Sequence, residues 1–272
     1  MKRYDALLLT CAVAFATCLI SCAGAPQQAT KLSPETAQSE MKLRSIALTE
    51  EEFTRRALDG DLAAVRLFVA AGMRTDARNV KGETPLVLAA EKNHTRVAAA
   101  LLDGGADPNT GDALGDTPLI YASRNDSFET LNLLLDRKAD VSVANKRGVT
   151  ALMAPPWKDD ARITQTLLDR GAAIDAQDKD GLTALHWAAI IKLPRVVETL
   201  LARGADPNKR NVVNGTALMV AAAQGQTPIM EMLLAKGADP TLKDKDGRTA
   251  LAWARAQKQP AAIQLLEKSP AK

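Results

Sequence analysis

Hydrophobic and polar positions repeat along this chain with a long, fixed period. Leucine pairs stand at Leu101-Leu102, Leu134-Leu135, Leu167-Leu168, Leu200-Leu201 and Leu233-Leu234, each 33 residues after the last. A second apolar stretch opens every period: "TPLVLAA", "TPLIYAS", "TALMAPP", "TALHWAA", "TALMVAA" and "TALAWAR", beginning at Thr84, Thr117, Thr150, Thr183, Thr216 and Thr249. Two residues after each Thr comes leucine, from Leu86 to Leu251. The pattern predicts two short helices per period. Small residues such as Ala89-Ala90 and Ala188-Ala189 let neighbouring helices approach closely, and the leucine pair fills the space towards the next unit. A period of this length predicts a solenoid, in which stacked units bury a core that none could bury alone.

The polar positions keep the same register. Thr at a helix start caps free backbone N–H groups, and Pro85 and Pro118 sit in the first turn, where a missing N–H costs little. Gly105, Gly171, Gly204 and Gly237 follow the second helix, where a left-handed residue ends it. Lys138 takes that place once, at a cost of about 1 kcal/mol. Five residues before each Thr stand Asn79, Asp112, Asn145, Asp178, Asn211 and Asp244, side chains that close turns on their own backbone. Two before each Thr stand Gly82, Gly115, Gly148, Gly181 and Gly247, with Asn214 as the exception, the residue that tolerates a positive φ next best.

With "TPLVLAAEKNHTRVAAALLDGGADPN" and "TALHWAAIIKLPRVVETLLARGADPN" in this register, the chain resembles ankyrin-repeat proteins. The resemblance covers residues from about 50 to 268. It implies an all-α repeat solenoid of helix–turn–helix units joined by hairpin loops, with a domain over 49–269 of about seven units, the outer two being caps. Residues 50 to 82 read as a degenerate first unit, with Phe53, Ala57, Phe68-Val69 and Gly72 in register. The last unit reads one residue short, because Leu265-Leu266 arrive early.

The ends change the picture more than the composition does. Lys2 and Arg3 precede an apolar run from Ala6 to Ile20, too short for a comfortable span of about twenty residues and suited to a signal peptide over 1–21. Leu19-Ile20-Ser21-Cys22 looks like a bacterial lipoprotein signal, which implies cleavage before Cys22 and acylation of that residue. Ala23 rather than Asp follows, which in Gram-negative lipoproteins implies transport to the outer membrane. Cys11 and Cys18 leave with the signal, so the mature chain keeps no thiol for a disulfide or a metal. Removing Lys2, Arg3 and Asp5 leaves 33 basic and 31 acidic side chains, a balance with no nucleic-acid footprint. Residues 22–48, rich in Ala, Gln, Ser, Thr and Pro, read as a flexible tether; a helical second half from about Pro34 is the alternative.

No constellation for catalysis stands out. His186, three after Thr183, is in the family position that ties turn to helix, and His94 also occupies a family position. The "DKDG" stretches lack the spaced ligands of a calcium loop. Neither an enzyme nor a cofactor is expected, and the chain is expected to be a monomer.

A binding surface is the remaining candidate. The resemblance places inner-surface side chains four, seven and eight residues after each Thr. Column four holds Tyr121, Trp187 and Trp253, column seven holds Arg124 and Trp157, and column eight holds Lys158 and Ile191. Aromatics and Arg dominate interface energetics, which motivates a concave groove. Most loop tips are charged, such as Lys146-Arg147, but one is Val212-Val213, an exposed aliphatic pair beside an apolar unit. In "MAPPWKDDA", Pro155 and Pro156 fall inside the expected first helix and should cut it short, at about 3 kcal/mol if the helix were forced. That would present Trp157 and Lys158 differently from their neighbours. Together these features predict a lipid-anchored envelope protein that binds a protein partner, as an inhibitor of the immunity type in one version. The rival reading is a scaffold for an envelope complex.

Overall fold

The computed structural model describes residues 32–155 and 158–268; the stretch expected to be a lipoprotein signal, with Cys22, and Pro156 and Trp157 lie outside the described residues. Each Thr of the series opens a short helix: α4 Pro85–Glu91, α6 Pro118–Arg124, α9 Ala184–Ile190, α11 Ala217–Ala223 and α13 Ala250–Ala256. In all five the Thr hydroxyl accepts the backbone N–H three residues on, as Val87 donates to Thr84 and Met219 to Thr216. A second helix follows in each unit: α5 Thr95–Asp103, α7 Phe128–Asp136, α8 Arg162–Asp169, α10 Pro194–Ala202, α12 Thr227–Ala235 and α14 Pro260–Lys268. Ahead of them stand α2 Glu50–Leu58 and α3 Leu62–Ala70, the degenerate first unit, in which Phe53 stacks on Phe68 with ring centroids 4.9 Å apart. The described residues thus hold seven units, with first helices packed on first helices and second on second.

The first leucine of each pair carries the core. Leu101, Leu134, Leu167, Leu200 and Leu233 are at most 1% exposed, each contributing roughly 2 kcal/mol of transfer free energy. Leu266 occupies the same position in the last unit and is also buried. That unit is therefore not one residue short: α14 spans the same nine positions as its equivalents, and Leu265 is the residue out of pattern. Lys138 and Asn214 adopt the left-handed conformation expected of them, with φ of 66° and 59°.

The tether reading stops short of these residues. Helix α1, Pro34–Leu43, is capped by Ser33 and packs on α3 through Ala37 and Met41, both buried. Two apolar residues four apart give the segment one face to bury, the alternative that the sequence left open from Pro34.

Between units the loop tips join in a backbone ladder. Lys146 N–H donates to Leu114, Lys179 to Arg147, Val212 to Asp180 and Lys245 to Val213, at 2.9–3.0 Å. At the base of every tip the Asn or Asp side chain accepts two backbone N–H groups, two and four residues on, as Asp178 does from Asp180 and Leu182.

Candidate functional site

The aromatic column of the first helices is locked by hydrogen bonds within its own units. Tyr121 Oη donates to Asp112 Oδ2 at 2.9 Å, Trp187 Nε1 to Asp178 Oδ2 at 3.0 Å and Trp253 Nε1 to Asp244 Oδ2 at 2.9 Å. Each aspartate uses Oδ1 for the turn and has Oδ2 left for the ring nine residues on. The other three units that open on Thr have asparagine in the turn, whose amide would present a donor there, and they carry Leu88, Ala154 and Val220 in the aromatic column. Burial, and then the bond to Asp112, push the Tyr121 phenol well above its ordinary pKa, so it stays a donor. Burial raises the Asp244 carboxyl, but the N–H of Arg248, the indole and other donors outweigh it and hold it below the usual range. The three rings are half-buried, and what they present outward is carbon surface.

Arg124 is likewise engaged. Both terminal nitrogens lie 3.2 Å from Asp116 Oδ2, and its guanidinium sits 5.5 Å from the Tyr121 ring centroid. His186 is buried in a capping box with Thr183; its Nε2–H donates to Gly215 of the next unit. Burial holds its pKa below the ordinary value, which keeps the ring neutral. His94 faces the Leu58 carbonyl of the unit before. Both histidines are tied into the framework, and no group of three or more metal-ligating side chains occurs among the described residues.

The fourth unit departs from the rest as its prolines predict. Its first helix is reduced to a single 3-10 turn over Ala151–Met153, and Thr150 caps nothing with its side chain. Pro155 has no N–H to give the Ala151 carbonyl. The Ala154 N–H turns back to that carbonyl at 3.2 Å, and the buried Ser123 hydroxyl, 2.8 Å from the carbonyls of both Ala151 and Ala154, shares its one proton between them. Asp159, just beyond the break, caps the next unit: it accepts the N–H groups of Arg195 and Val196 at the start of α10, whose N-cap Leu193 gives no side-chain bond. Sequence reading missed both, although Ser123 stands where four other units have alanine.

The shortened helix leaves a hollow of about 170 Å³ between α6 and α9, lined by Arg124, Met153, Ala154, Trp187, Ile191 and the tip residue Arg147 among others. A second hollow, about 330 Å³, is lined by Ile190, Val213, Val220, Gln224 and Trp253. The structure therefore brings Arg124, Trp187 and Ile191 together in one place and Val213 and Trp253 in another. Tyr121 adjoins the first through Arg124. Lys158 is largely exposed, 3.7 Å from Asp126, and Val212 projects from its tip about half exposed. Two further exposed tip residues, Val80 and Leu114, extend the apolar series beyond Val212-Val213. They were legible as apolar residues at the same loop positions.

The family model for ankyrin repeats matches in three copies, over residues 55–145, 137–211 and 192–272. Among solved structures, the ankyrin repeat domain of Bcl-3, described as a unique member of the IkappaB protein family, is similar at 32% identity with a TM-score of 0.67. The likeness covers 79% of this chain and 97% of that one. No curated protein matches the sequence.

Proposed function

Because the chain belongs to the ankyrin-repeat family, whose repeats are protein-interaction scaffolds, we propose that it is a lipid-anchored binding module of the bacterial envelope that holds a protein partner on its first helices and loop tips. The observation that supports the binding face is the meeting of tip and helix residues around the two hollows, Arg147 with Trp187 and Val213 with Trp253. A row of short, mutually braced helices keeps such a surface in shape before the partner arrives, which limits the ordering cost of binding. Anchoring rests on the sequence around Cys22 alone: a basic start, a short apolar core and the four-residue lipoprotein signal.

Both parts are testable in the protein's own cells. Replacing Cys22 by Ser should abolish labelling by a fatty-acid probe and release the protein from the membrane fraction; a variant as membrane-bound as the parent would refute the anchor. Affinity purification of the parent and of a Val213→Ser/Trp253→Ala variant should recover a partner with the first only, at a temperature where circular dichroism shows both folded. A partner that loses activity in the complex marks an inhibitor, and one that keeps its activity in a stable assembly marks a scaffold.

A further inference from the structure

The hollow beside the shortened helix has a composition that points to the chemistry of its occupant. Its floor is apolar. Met153 and Ala154 are nearly buried, and the exposed part comes from Ile191 and the ring of Trp187. Asp178 already holds the indole N–H, so the ring has no donor to offer a ligand. At about 170 Å³ the hollow is smaller than the roughly 300–1,000 Å³ of a drug-sized site. It is a socket for one large side chain.

Its rim is cationic. Arg124 and Arg147 line it, Lys146 precedes Arg147 on the same tip, and Lys179 follows on the next rung of the tip ladder. Among the described residues neither Lys146 nor Lys179 forms an ion pair, and Arg147 reaches only Asp180 at 3.5 Å, with both side chains more than half exposed. Asp116 offsets Arg124, and Asp178 lies buried beneath the tip, held by its turn and by Trp187. On the exposed part of the two tips Lys146, Arg147 and Lys179 stand against the one carboxylate of Asp180, a positive excess above a floor of carbon.

We propose that this hollow receives an acidic segment of the partner protein, with one large aliphatic or aromatic side chain seated against Trp187 and Ile191. The flanking Asp or Glu side chains pair with Lys146, Arg147 and Lys179. The inference rests on reading this face as a protein-binding surface, and it adds the chemistry of what binds. Rim charges of this kind act chiefly on association rate, salt dependence and choice of partner.

Three labelled synthetic peptides of about ten residues test it, titrated against the full chain by fluorescence anisotropy: Leu-Phe flanked by glutamates, Leu-Phe flanked by lysines, and Ala-Ala flanked by glutamates. The first should bind at least about tenfold tighter than either other, and its affinity should fall at least about tenfold between roughly 50 and 500 mM salt. Lys146→Glu/Arg147→Glu should remove that binding, and Lys179→Glu should weaken it. Lys236→Glu, at the end of α12, should leave it unchanged. All four positions are exposed, so the variants should melt with the parent. Equal binding of the acidic and basic peptides, no measurable binding of the first, or undiminished binding by the double variant would overturn the proposal. The protein-binding reading would survive those results if partner recovery still depended on Val213 and Trp253, and it falls separately if that dependence is absent.

Discussion

Asp178 and Trp187 are nine residues apart, and each sits in a column that looks like something else when read alone. The first column holds turn-closing residues, and the second holds aromatic and aliphatic side chains on a binding face. Side by side the two columns show a rule: aspartate goes with Tyr or Trp, asparagine with Leu, Ala or Val. The physical reason is the second carboxylate oxygen, which asparagine replaces with a donor. Asp178→Asn should therefore cost about 1–3 kcal/mol, because the partly buried indole N–H loses its acceptor. Adding Trp187→Val should cost less in that background than in the parent, giving a coupling of about 1–2 kcal/mol. Urea melts of the four proteins measure it, and additive effects would mean that the pairing is incidental. Each column was visible in the sequence; the bond was not, because it depends on which oxygen the turn leaves vacant. The rings so fixed remain candidate anchors, but with carbon faces rather than donors.

At the scale of one element, the shortened helix of the fourth unit divides what local sequence can and cannot disclose. Proline acts on its own backbone, so the loss of helix after Met153 was foreseeable from two letters. What braces the break lies far along the chain: Ser123 is 28 residues before Ala151. Asp159, just after the break, reaches 36 residues forward to Arg195. Ser123→Ala restores the residue common in that column, yet it should destabilise the protein by about 1–3 kcal/mol by removing the side-chain donor that faces the Ala154 carbonyl. Denaturant unfolding checks this, and a neutral substitution would show that other donors serve that carbonyl. Helix α1 and the last unit teach a related lesson. Ala37 and Met41 look like linker residues until α3 is there to cover them, and Leu266 is assigned by its burial rather than by its leucine neighbour.

The whole molecule is a row of neighbours, and its stability is a sum of local units and the interfaces between them. Three ion pairs run along one edge of that row, Asp103 with Arg137, Asp136 with Arg170 and Asp169 with Arg203, each linking one unit to the next at 2.7–2.8 Å. Exposed as they are, they contribute little beside the leucines. Leu200→Ala should cost about 2–5 kcal/mol and speed hydrogen exchange in the units on both sides, α8 and α12 included. An effect confined to α10 would argue against a coupled array. Period and register, and with them the solenoid, were legible because every unit restates them. The site was legible only as a surface, since hollows arise between units and no single repeat encodes one.

A row whose members touch only their neighbours deforms as joints in series do, with the softest joint taking most of the bend. In this chain the thinnest joint along the first helices is the fourth unit, where one 3-10 turn stands between α6 and α9. The three units before it and the three after it are each braced by full helices. Bending loads would thus concentrate on Ser123, Ala151 and Ala154, and the angle between the two halves would change the width of the hollow beside them. A partner that gripped there would work on the hinge of the rod as well as on its surface.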